Sequence, residues 1–295
     1  MNDSEYRENF EEALQFMAKG QVFDAELKLQ ILHSEYPEDF KVLSKLGLIK
    51  LYKAEYDDAL ILLGEALRVR PNAIEIAGMV SLSLAKLKRL DEAAEFLAYS
   101  KEHEQIGMWA NRAEAAIMIE HGLFDRALQI LLIFTTENSE LSWDVLNDLG
   151  RCYYELGEFC HAEEAFTNAI ENAQKIGLKI PFLYYNIALC QLEAGMRDEA
   201  KDSISQALEL DSELAIAWST LGVLVAEDED IGRGLDYLER ALRIEPEEPT
   251  HWYMIARIHE LNGDSETAEQ HMLEGYRALQ ALQPDREIPD GLRNG

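Results

Sequence analysis

The chain has 295 residues, 47% of them hydrophobic, with 17 Gly and 7 Pro, which gives enough apolar surface for a long core and excludes a disordered chain. Asp and Glu number 56 against 27 Lys and Arg, a net charge of −29, so phosphate backbones are repelled, nucleic acid is disfavoured and neutral or basic protein partners are favoured. The odd set Cys152, Cys160 and Cys190 has no metal-site spacing, the opening MNDSEYRENFEEAL lacks the apolar stretch of a signal peptide, and no run of about 18 apolar residues occurs; these features predict a cytoplasmic protein without membrane insertion.

Helical periodicity then repeats along the chain. Ala25, Ala59, Ala93, Ala127, Ala162, Ala200, Gly234 and Ala268 follow one another at steps of 34, 34, 34, 35, 38, 34 and 34. A period of that length predicts stacked helix–turn–helix repeats forming one elongated domain. Eight repeats result: 6–39, 40–73, 74–107, 108–142, 143–180, 181–214, 215–248 and 249–282. Residues 1–5 are left as a short N-terminal extension, and 283–295, with two prolines and two glycines, as a tail expected to be disordered.

Gly20, Gly122, Gly157, Gly195 and Gly263 mark turns within repeats, where a left-handed backbone ends a helix. Pro37 and Asp39 precede the second repeat, Pro71 and Asn72 the third, Ser142 the fifth and Ser212 the seventh, while Pro181 and Pro249 open the sixth and eighth. Asp, Asn and Ser suit helix caps, and proline suits the first helical turn. First helices pair bulk with a small residue, as in Leu46–Gly47, Leu149–Gly150, Ile187–Ala188, Leu221–Gly222 and Ile255–Ala256, so that the partner helix can approach closely. The fifth repeat is four residues too long, with the excess in 171–181; a second helix lengthened to near Gly177 would bend the stack or project a ridge, whereas a loop insertion would simply be tolerated. Glu227, Asp228, Glu229 and Asp230 crowd the seventh turn without calcium-loop spacing and read as a solvated turn. The last helix carries Met272, Leu273, Tyr276, Leu279 and Leu282 with no helix after it, which suggests an exposed face or self-association through the C-terminal helix.

No phosphate loop, paired-histidine zinc motif or nucleophile elbow is present, so no enzyme, cofactor or metal is expected. His251, His259 and His271 are near in sequence, but the first two lie two turns apart. Cys152 and Cys190 occupy equivalent first-helix positions and read as small buried hydrophobes.

These residues resemble the tetratricopeptide repeat family, whose signature is Trp, Leu-Gly, Tyr, Ala, Phe, Ala and Pro at fixed offsets. Repeat 215–248 carries Trp218, Leu221, Gly222, Ala241 and Pro246, with Val225, Gly234 and Leu238 substituted; repeat 143–180 carries Leu149, Gly150, Tyr153, Ala162, Phe166 and Ala169; repeat 40–73 carries Leu46, Gly47, Ala59, Ala66 and Pro71. Glu12, Glu114 and Ser81 make the first, fourth and third repeats weaker matches. The resemblance implies an all-α fold, a right-handed α-solenoid or superhelix of eight repeats, with first helices lining a concave face. Groove positions are then Asn147, Asp148, Arg151 and Tyr154 in the fifth repeat, Tyr185, Asn186 and Leu189 in the sixth, Ser219 and Thr220 in the seventh, and Tyr253 and Arg257 in the eighth. The amides suit an extended backbone, the tyrosines offer contact area and Arg151 suits a carboxylate, unless it only pairs with Asp148. The clamp by which some relatives hold chaperone C-termini is incomplete, since Ile216 and Thr220 replace its closing Lys and Arg. The expected role is a scaffold or adaptor for a partner's peptide or helix; a secretion- or assembly-type chaperone is the alternative, and a regulatory subunit of an enzyme stands third.

Overall fold

The computed structural model describes residues 2–103, 107–137, 142–228 and 230–282, and among them are sixteen α-helices and no strand. The helices pair as hairpins. The first five are α1 (Asp3–Ala18) with α2 (Val22–Glu35), α3 (Phe40–Tyr52) with α4 (Tyr56–Val69), α5 (Ile74–Lys86) with α6 (Leu90–His103), α7 (Met108–Glu120) with α8 (Phe124–Glu137), and α9 (Trp143–Glu155) with α10 (Phe159–Lys175). The last three are α11 (Pro181–Glu193) with α12 (Arg197–Leu210), α13 (Ala215–Glu227) with α14 (Ile231–Ile244), and α15 (Pro249–Leu261) with α16 (Ser265–Leu282). Residues 3–5, expected in an extension, are already helical; Asn2 caps α1 in a reciprocal box with Glu5. The tail at 283–295 lies outside the described residues.

Local chemistry explains several helix ends. The five turn glycines all have φ between +72° and +79°; in the second and third hairpins Ala54 (+57°) and Lys88 (+60°) take the same conformation. Asp39 accepts from the amides of Lys41 and Val42 at 2.8 and 3.1 Å, while Pro181 and Pro249 open their helices. Ser142 stands at the start of α9 without a side-chain cap bond, and Ala73 and Leu214, not Asn72 and Ser212, occupy the cap positions of α5 and α13. Inside hairpins a missing side chain admits a large one: a Cβ on Gly150 would meet the Phe166 ring at 2.5 Å, and one on Gly47 would meet Leu63 at 2.6 Å.

The chain divides into two compact units, Met1–Lys179 and Ile180–Gly295. The division falls in the lengthened stretch after α10.

In the first unit the fifth hairpin comes back against the first. Small residues on α5 and α7 allow close approach: a Cβ on Gly78 would lie 3.0 Å from the Trp109 Cβ and 3.1 Å from the Ala110 nitrogen. α10 runs for 17 residues where α2, α4 and α8 each have 14, and Gly177 follows it at φ +76°. Its extra turn brings Ile176 onto the core of the first hairpin, with its Cγ2 3.3 Å from the ideal Cβ position of Gly20, and sets the ideal Cβ position of Gly177 3.5 Å from the Phe23 ring. The second unit has its own core, with Ala188, Ile204, Leu208, Leu221 and Leu224 buried between the sixth and seventh hairpins and Leu238, Ile255 and Ile258 between the seventh and eighth. No helix among the described residues is long and apolar enough to cross a membrane.

Candidate functional site

First helices of the first unit turn their polar side chains toward one another. Asp144 on α9 pairs with Arg112 on α7, and the Arg112 guanidinium lies 4.5 Å from the centre of the Trp109 ring. Lys86 at the end of α5 donates to both oxygens of Asp148 on α9, at 2.5 and 2.7 Å, past the intervening α7. The Trp143 indole, also on α9, donates to the Tyr52 carbonyl at the end of α3 at 2.8 Å. These bonds bring the ends of α3 and α5 within bonding distance of α9. Asn147 and Asp148 are accordingly buried, at 8% and 4% exposure, and belong to the interior wall. Arg151 bonds Glu120 at 3.1 Å rather than Asp148, and Tyr154 packs edge-on against Phe159; both stay partly exposed. Burial, with the Asp148 and Asp144 carboxylates nearby, pushes the Tyr56 phenol far above its usual range.

The second unit presents a more open first-helix face. Tyr185 on α11 and Thr220 on α13 bring their hydroxyls to 3.1 Å, and Thr220 also donates to the Ile216 carbonyl at 2.9 Å. One turn further along α13 than Val223, Glu227 accepts from Arg257 of α15 at 2.8 Å through one oxygen and from Arg197 of α12 at 3.0 Å through the other. Asp228 pairs with Lys201 and Arg197, so these two acids of the seventh turn are salt-bridged; Asp230 caps α14, and Glu229 lies outside the described residues. Phe182, Asn186 and Leu189 lie along α11, all at least partly exposed. Arg197 and Glu227 were not among the expected groove residues; the acid-rich turn was their signal, but the partners on α12 and α15 come only from packing.

Two expected positions have close neighbours within the eighth hairpin or at its border with the seventh. Ser219 is fully buried, 2.6 Å from Nδ1 of the equally buried His251, whose Nε2 lies 3.4 Å from the Glu245 carboxylate. Tyr253 lies against α16, where a Cβ on Gly275 would meet its ring at 2.5 Å, and makes an edge contact with Tyr276. Together with Met272, Leu279 and the exposed Leu282 it lines a cleft of about 510 Å³ at the C-terminal hairpin.

Two of the C-terminal histidines have structural partners. His259 and His271 stack at 5.2 Å, with their Nδ1 atoms 3.5 Å from Asp264 and 2.8 Å from the Thr267 carbonyl respectively. Among the described residues, no group of three His, Cys, Asp or Glu side chains could hold a metal ion. Cys152 is buried, and burial first, then Asp148, pushes its thiol up to about 12, which leaves it unreactive at neutral pH; Cys190 is buried too.

Family profiles described as tetratricopeptide repeat match residues 44–103, 183–214 and 220–282, together more than half of the chain. No curated protein sequence matches it. Among solved structures, one described as the APC/C hetero-tetramer Cut9-Hcn1 superposes with a TM-score of 0.72 at 14% identity, over 95% of this chain and 54% of that one; this chain therefore spans about half the length of that neighbour. A human IFIT1 dimer with m7Gppp-AAAA gives 0.63 at 14% identity, over 94% of this chain and 72% of that one. At such identities the likeness concerns the fold alone.

Proposed function

The chain belongs to the tetratricopeptide repeat family, and from that premise we propose that it is a non-catalytic scaffold holding a segment of a partner protein against the first helices of its second unit. The observation that carries this reading is the contrast between the two units. Asp144 and Asp148 of the first are consumed by internal pairs, whereas Arg257 of the second has a side chain 62% exposed and held by a single bond to Glu227. Its remaining donors suit a carboxylate or a peptide carbonyl. Tyr185, Asn186, Leu189 and Thr220 extend the surface with phenol, amide, apolar and hydroxyl groups, and Arg151 and Tyr154 are the reachable part of the predicted groove in the first unit.

The charge of −29 favours a neutral to basic protein in the cytoplasm and disfavours an RNA of the kind named with the IFIT1 neighbour. An assembly-type chaperone is the second reading, motivated by Phe182 at 37% exposure on this face. Affinity capture from the native cell followed by mass spectrometry tests both. A scaffold returns several exchangeable partners, a chaperone one apolar client. Asn186→Ala/Arg257→Ala should lose most of the captured protein; undiminished recovery removes this surface from the site.

A further inference from the structure

Between the α1–α2 turn and the extra turn of α10 lies a cleft of about 710 Å³, within the size range of ligand pockets. Met17, Tyr52, Trp143 and Leu146 supply the large apolar and aromatic side chains of its lining. One wall is the face of α10 bearing Asn168 and Asn172. Lys19 lines the cleft from the first hairpin and Lys175 from α10, and Glu171 is the single acid among the lining residues. Both lysines sit at helix C-termini, where the dipole favours cations. Sharing a cleft, they give a local excess of positive charge in a chain whose total is −29.

The closure that makes the cleft is narrow: Ile176 against Gly20 and Phe23 against Gly177 hold the two lips, and the cleft runs beside them. We propose that this cleft is a docking site for an extended segment of a partner protein that presents one large apolar side chain with a carboxylate beside it. The side chain lies against Tyr52 and Leu146, the carboxylate sits between Lys19 and Lys175, and the amides of α10 meet the segment's backbone. The four-residue lengthening of the fifth repeat then builds one wall of a binding site. The proposal rests on the protein-binding reading above but uses the other unit, so the two can fail separately.

The probe is a phage-displayed library of random short peptides panned on the full chain, with the enriched peptide then titrated by fluorescence anisotropy. Two variants alter only exposed positions: Asn168→Trp fills the cleft and Lys19→Glu/Lys175→Glu reverses its lips; circular dichroism melts check that both fold. Expected are peptides with an acid next to a large apolar residue, bound about tenfold or more weakly by each variant and unchanged by Asn186→Ala/Arg257→Ala. Peptides without that pairing, equal binding by the cleft variants, or no enrichment at all overturn the proposal. Binding lost only with Asn186→Ala/Arg257→Ala overturns it while supporting the surface on the second unit.

Discussion

Glu26 is 7% exposed on α2 and lies 2.8 Å from Lys50 and 2.9 Å from Lys53; Lys53 also reaches Glu55 at 2.6 Å, and Lys50 pairs with Glu55. Burial alone would raise the Glu26 carboxyl, but the two lysines outweigh it and hold its pKa below the ordinary value; Glu55 is lowered for the same reasons. A carboxyl with a depressed folded-state pKa contributes stability that is complete above its unfolded value of about 4.3 and is lost as pH falls through the folded value. Glu26→Gln should therefore cost roughly 2 kcal/mol near neutrality and flatten the decline of Tm on acidification below about pH 4. Melts of both proteins across that range check it, and parallel acid slopes would count against the network. Lys88 offers the opposite experiment. It is exposed and holds φ +60° where five other hairpins use glycine. Lys88→Gly should raise stability by about 1 kcal/mol, read from a urea melt.

Among the elements, α10 separates what periodicity can tell from what it cannot. Its extra length was legible, because the step from Ala162 to Ala200 exceeds the others, and so was its end near Gly177. Its destination was not legible: Ile176 reaches the first hairpin only after curvature has accumulated over five hairpins, and no local pattern encodes that sum. The same gap explains Asn147 and Asp148. Their motif positions place them on the first-helix face, but whether that face meets solvent depends on Lys86, from two repeats earlier, arriving opposite. Turn glycines and small-for-large pairs such as Gly150 with Phe166 are contacts within one hairpin, and these the sequence pattern does carry. The clasp has a direct test. Ile176→Asp places a carboxylate against Gly20 and the first-hairpin core, and should cost the first unit about 2–3 kcal/mol. Hydrogen exchange should quicken in α1 and α2 more than in α15 and α16; uniform exchange would show that closure carries little of the stability.

For the whole molecule the decisive quantity is the excess of acids. Twenty-seven basic residues cannot neutralise 56 acidic ones, so the folded chain carries self-repulsion that the unfolded chain relieves by expanding. Two kinds of ion pair oppose this. The enclosed pairs, Arg112–Asp144 and Lys86–Asp148, have side chains no more than 10% exposed and are screened little by salt. Exposed pairs such as Arg89–Glu92 and Arg277–Glu274 are screened, but they contribute little to begin with. Added salt therefore removes more repulsion than attraction. At 0.1 M the Debye length is about 10 Å, comparable with the width of one helix, and repulsion between neighbouring hairpins should be largely damped. Tm should rise by several degrees from low to physiological ionic strength, and Arg89→Ala should leave that rise unchanged. A Tm that falls with salt would mean that surface pairing, and not net charge, dominates the electrostatics of this fold.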